Sequence, residues 1–111
     1  MKKLIFLVLV ISFSFAYFMD GNRLYQNGLE YHKNLMGEKS SWVDVGLYDG
    51  YVMGVFDSYN GVLFCSPINV TSGQVFDIVF KYLQNYPENR NLSANTLVFK
   101  ALNKIWPCKK K

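Results

Sequence analysis

The stretch from Thr71 to Cys108 constrains the fold most: its apolar residues recur at helical spacing twice, and each run has its own start and stop signals. Thr71, with Gln74 three residues on, reads as a capping box that opens a helix. Val75, Ile78, Val79, Tyr82, Leu83 and Tyr86 follow at steps of three and four, which places them in one stripe. Phe76 and Phe80 widen that stripe, so the helix is expected to be covered on two sides. Pro87 lacks a backbone donor and stops it. After the polar loop PENRNLS, a second run begins near Ser93, with Ala94, Leu97, Val98, Ala101, Leu102 and Ile105 at the same spacing, and Trp106-Pro107-Cys108 ends it. A short connection between two amphipathic helices makes them antiparallel neighbours.

Two further helices precede this pair. One spans roughly Gly21–His32, with Asp20 as N-cap, and KNLMGEKSS after it reads as a loop. The other starts at Ser41, with Asp44 three residues on, and runs to about Tyr59. Its length and cap favour helix over strand, although YVMGVF is rich in β-formers. Gly46, Gly50 and Gly54 are spaced four apart and fall on one face. Each costs up to about 1 kcal/mol of helix propensity, so these glycines are expected to admit another helix or a bulky ring. The fold class that results is all-α, a small domain of four to five helices.

The N-terminus sets the compartment. Lys2 and Lys3 precede an apolar stretch, and Ser14-Phe15-Ala16 supplies small residues two apart, the layout of a signal peptide over residues 1–16. The apolar run falls short of the ~20 residues of a spanning helix, so no membrane span is expected after cleavage. Residues 17–111 then form a single exported domain. In an oxidising compartment two cysteines tend to pair, which reads Cys65 and Cys108 as a disulfide. Two free thiols, or a thiol working with His32, are the competing readings, and zinc needs more ligands than these three residues supply. An antiparallel hairpin brings the start of its first helix and the end of its second to one end of the fold, where the two cysteines would meet.

The formal charge of +4 overstates the basicity of the body. Lys2 and Lys3 belong to the leader and Lys109, Lys110 and Lys111 to the tail; without those five, acids outnumber bases by one. No basic stripe of the kind that grips nucleic acid remains. The chain carries no nucleophile–base motif, phosphate loop or metal-ligand motif. Asp49 and Asp57 share a helix but read as solvated charges. No catalytic residue, cofactor or metal is therefore expected. Nine Phe, eight Tyr and two Trp are more than so small a domain can bury, and tyrosines suit interfaces. The loop Glu88, Asn89, Arg90 and Asn91, held between two firm helices, is one candidate contact surface, and Tyr51 and Tyr59 on the second helix are another.

The residues from about 48 to 108 resemble a known family. Gly50-Tyr51-Val52, Gly54-Val55, Asp57, Phe64-Cys65, Pro67, Val70-Thr71, Tyr82-Leu83, Pro87, Ala94, Leu97-Val98, Ala101-Leu102 and Trp106-Pro107-Cys108 occur in the order and register of the Rap/Tai immunity proteins of bacterial type VI secretion. The resemblance implies a helical periplasmic protein that binds a cognate effector. The effectors met by such relatives are papain-like peptidoglycan amidases, whose catalytic cleft the immunity protein occludes, often as a homodimer. This chain departs from the family in one respect: Gly28 and Tyr48 stand where relatives often carry a second cysteine pair. The rival from another class is a periplasmic chaperone or structural protein that binds apolar segments through an aromatic surface.

Overall fold

Four α-helices carry the chain in a computed structural model that describes residues 17–109; the expected leader, residues 1–16, lies outside them. They are α1 (Gly21–Leu35), α2 (Trp42–Tyr59), α3 (Ser72–Asn85) and α4 (Ala94–Ile105), with a 3-10 turn at Pro87–Asn89. The described residues hold no strand, so the all-α expectation is met.

The local signals account for the helix ends. Asp20 accepts from the Arg23 N–H at 2.8 Å and caps α1. α1 runs one turn past His32, because the stop lies further on: Gly37 takes φ +74°, the Gly37 N–H reaches the Asn34 carbonyl and the Glu38 N–H the Lys33 carbonyl, a Schellman ending. Ser41 caps α2 through the Asp44 N–H at 3.3 Å. Thr71 and Gln74 exchange both bonds of the capping box at 3.2 and 2.8 Å. Ser93 precedes α4 as expected, but its hydroxyl bonds that of Thr96 at 2.7 Å and makes no cap. The Met19 carbonyl instead accepts from the Ala94 N–H at 2.9 Å.

That bond belongs to a seam joining the start of the fold to its last connection. The Gly21 N–H donates to the Leu92 carbonyl and the Asn22 N–H to the Arg90 carbonyl, both at 2.8 Å. Gly21 is required here, since a Cβ would lie 2.7 Å from the Arg90 carbonyl oxygen. α1 and α2 form a second hairpin, packed across α3 and α4. Leu24, Tyr48, Val52, Phe64, Val79, Leu83, Leu97, Val98 and Leu102 are almost wholly excluded from solvent.

Cys65 and Cys108 are bonded, with Cα atoms 4.8 Å apart. The Cys65 N–H also donates to the Trp106 carbonyl at 2.8 Å, which seats the approach to α3 beside the end of α4. The antiparallel hairpin and the cysteine positions thus agree as the spacing required. Gly28 and Tyr48, which the resemblance sets against a second cysteine pair, touch each other. A Cβ on Gly28 would lie 3.1 Å from the Tyr48 ring and 2.9 Å from Phe80. The Tyr48 hydroxyl donates to the Phe76 carbonyl at 2.6 Å. A ring seated over a glycine, anchored by its phenol, joins α1 to α2 here.

Two expectations about faces need correction. The stripe of α3 is rotated: Val75, Phe76, Val79, Phe80 and Leu83 are buried, while Ile78, Tyr82 and Tyr86 are only half-buried. α1 and α2 cover the Phe76 and Phe80 side, through Tyr31 and Tyr48 on Phe76 and through Tyr25 on Phe80, which leaves the opposite edge outermost. Gly46, Gly50 and Gly54 do not receive another helix of this chain. A Cβ on any of them would meet nothing within 4 Å. α2 buries Tyr48, Val52 and Val55, and at 3.6 residues per turn the glycines lie on the far side of the helix from those three.

Candidate functional site

The glycine face of α2 is an exposed apolar surface. Trp42 (86% exposed), Val43, Leu47 and Met53 flank the three glycines, and Asp57 is the one exposed charged residue of the helix. A helix apolar all round is normally enclosed; this one is enclosed on one side. Gly50 and Gly54, with Tyr51, Val55, Ser58, Tyr59 and Asn95, line a shallow hollow of about 410 Å³. Tyr51 and Tyr59 therefore stand together at one edge of α2, both half-buried against the core. Burial pushes the Tyr51 phenol up from its ordinary range, so it stays a neutral donor with an apolar flank.

The loop expected as a contact surface is built differently from what its polarity suggests. Glu88 and Asn91 are exposed, but Asn89 and Arg90 are not. Arg90 Nε donates to the Leu83 carbonyl at 2.7 Å and Nη2 to the Gln84 carbonyl at 3.4 Å, closing the C-terminus of α3. Its guanidinium lies 3.6 Å from the centroid of the Tyr25 ring. Arg90 is thus a clasp between α1 and α3, and reversing its charge would disturb stability as well as any contact. Glu88 and Asn91 remain as the solvent-facing side chains of this stretch.

A third cluster lies between α1, α2 and α3. The Tyr31 hydroxyl donates to Asp77 Oδ1 at 3.0 Å, and burial together with the Asp77 carboxylate pushes the Tyr31 phenol far up. Burial also raises the Asp49 carboxyl, whose Oδ1 has no hydrogen-bond partner. The cluster contains no thiol or imidazole, and the disulfide consumes both cysteines. Among the described residues no group of His, Cys, Asp and Glu is placed to hold a metal ion. No helix among them is long and apolar enough to cross a membrane.

The geometry on offer is firm helices, a covalent clamp and an uncovered apolar face. A comparison with known families decides what kind of protein carries it. The Rap1a immunity proteins match residues 20–108, from the cap of α1 to the second half-cystine. The chain belongs to the Rap1a immunity protein family. Membership makes this Rap1a protein a type VI effector immunity protein, whose work is to bind a cognate effector. No curated protein matches it. Sequence reasoning missed the exposed side of α2, although Trp42, Val43, Leu47 and Met53 were visible there. The signal was a helix with no polar face.

Proposed function

We propose that this Rap1a protein is exported through residues 1–16, acts in the periplasm, and there occludes the catalytic cleft of a papain-like peptidoglycan amidase. The family match across the whole described fold carries the reading. A disulfide that ties the two ends of the α3–α4 hairpin suits an oxidising compartment. Glu88 and Asn91 on the loop, and Tyr51 and Tyr59 on α2, are the proposed contacts with the effector.

The protein works as a homodimer in this reading, with the outer face of α2 as the shared surface. Two copies crossing at Gly50 would set Gly46 of each near Gly54 of the other and allow close backbone approach. A large aromatic such as Trp42 buries about 200 Å². With Val43, Leu47 and Met53 the face offers on the order of 500 Å² per copy, or about 1,000 Å² for a pair, the floor of a specific interface.

The test pairs the protein with a papain-like peptidoglycan amidase effector. Cells that send the amidase to the periplasm should survive with the full chain and lyse when residues 2–16 are deleted. Purified protein should stop peptidoglycan hydrolysis at a stoichiometric ratio. Survival without the leader would refute the compartment, and undiminished hydrolysis would refute the inhibition. The same apolar face gives the chaperone reading its one support. Suppression of aggregation of unrelated proteins, without saturable binding to one effector, would favour it.

A further inference from the structure

We infer that the channel between the outer faces of α3 and α4 is a docking groove for an acidic segment of the effector that carries an aromatic or long aliphatic side chain. This rests on the immunity reading and adds to it a surface and a partner chemistry. The groove follows from the rotated stripe described above. The apolar edge that α3 does not bury meets the end of α4, and two adjoining hollows of about 270 and 480 Å³ open there, sharing Tyr82, Tyr86 and Lys104. Tyr82 and Tyr86 pack ring on ring at 4.6 Å, forming a stiff aromatic wall. Ile105, 52% exposed, extends the apolar floor.

The rim has one sign of charge. Lys81, Lys100 and Lys104 line the hollows, and no acidic residue does. Lys104 leans over the Tyr86 ring at 4.6 Å and bonds the Tyr86 hydroxyl. Lys33 with Glu30 is the ion pair among the described residues, so none of the three groove lysines has a carboxylate partner. α4 carries no Asp or Glu, and the single acid of α3, Asp77, is engaged by Tyr31 on the other side. Three unpaired cations around an apolar floor, on a body whose acids otherwise equal or outnumber its bases, are complementary to carboxylates around an apolar side chain. The disulfide fixes the groove at its Ile105 end, so an incoming segment meets a surface already formed.

Two measurements test this. The first uses purified full-length protein and a fluorescent peptide with a central phenylalanine flanked by glutamates. The peptide should bind, and bind at least about tenfold more weakly as salt rises from about 50 to about 300 mM. The Lys81→Glu/Lys104→Glu variant should lose binding by about tenfold or more at an unchanged Tm, as should a peptide with glutamine for glutamate. Equal binding by the variant, or none by the wild type, overturns the proposal. Salt-sensitive self-association that the same substitutions abolish would name a second copy as the occupant and overturn it too. The second measurement is protection against the effector. Protection by the wild type and equally by the variant sinks the groove and leaves immunity standing. If the wild type gives no protection, the immunity reading fails, and the assignment to the effector with it.

Discussion

One substitution made in two helices should change stability in opposite directions. Gly50→Ala on α2 adds a methyl group where nothing lies within 4 Å. It removes the backbone freedom that glycine keeps in the unfolded chain, a gain of roughly 0.5–1 kcal/mol in a helix interior. Gly46 and Gly54 meet the same conditions, so Gly46→Ala/Gly50→Ala/Gly54→Ala should gain roughly 1.5–3 kcal/mol if the three contributions add. Gly28→Ala in α1 receives the same propensity gain. Its Cβ, however, would sit 2.9 Å from the Phe80 ring and 3.1 Å from the Tyr48 ring. Both rings are buried, so neither can turn aside into solvent. Overpacking of this kind costs about 1–3 kcal/mol, which leaves Gly28→Ala destabilised by up to about 2.5 kcal/mol after the propensity gain. For a domain of this size, each kcal/mol moves Tm by roughly 4–8 °C. Urea titration of the oxidised protein at low concentration, where copies stay apart, reads both signs in one experiment. If Gly50→Ala lowers the midpoint in dilute monomer, the α2 face is not free, and the account of that helix is wrong.

Other perturbations follow from the same contacts. Replacing both half-cystines, Cys65→Ser/Cys108→Ser, frees a loop with a sequence separation of 43; chain entropy puts the loss near 4 kcal/mol, and calorimetry of the wild type with and without reductant should report a comparable drop. Tyr48→Phe keeps the ring over Gly28 but removes the donor to the Phe76 carbonyl, and should cost about 1 kcal/mol in urea titration. Arg90→Ala removes the charge-assisted bond to the Leu83 carbonyl and the contact with Tyr25; a loss of about 2 kcal/mol is expected by the same method. Asp49→Asn should stabilise the fold at neutral pH. The folded carboxyl holds its proton to a higher pH than the unfolded one, so the wild type loses stability as pH rises from the ordinary carboxylate pKa through the raised folded value, and the advantage of the variant should vanish below that window.

α1, α2 and α3 were legible because a side chain serves their first free N–H groups, and α3 and α4 because their apolar residues keep a spacing of three and four. What the spacing could not supply was which face turns inward. On α3, Ile78 and Tyr82 compete with Phe76 and Phe80, and the choice falls to α1 and α2, whose aromatic residues cover the phenylalanines. On α2 no polar face marks the outside, so the glycines read as a contact within the chain when they are a surface. Arg90 was misread for a related reason. A polar residue in a loop resembles a solvated one until the carbonyls at the end of α3 and the ring of Tyr25 are brought to it. The disulfide was legible because the expected compartment and the hairpin topology point to the same two atoms. The rim of lysines around Tyr82 and Tyr86 was not, since Lys81 and Lys104 become neighbours only when the hairpin closes.

The bond between Cys65 and Cys108 encloses α3 and α4 and leaves α1 and α2 outside the ring it makes. Even a fully oxidised molecule therefore has one half that can detach without breaking a covalent link. Amide hydrogens of α1 and α2 should trade with deuterium earlier than those of α3 and α4. The surface that the two-copy proposal relies on belongs to the half that breathes, so pairing would slow that exchange and leave the hairpin behind it almost unchanged.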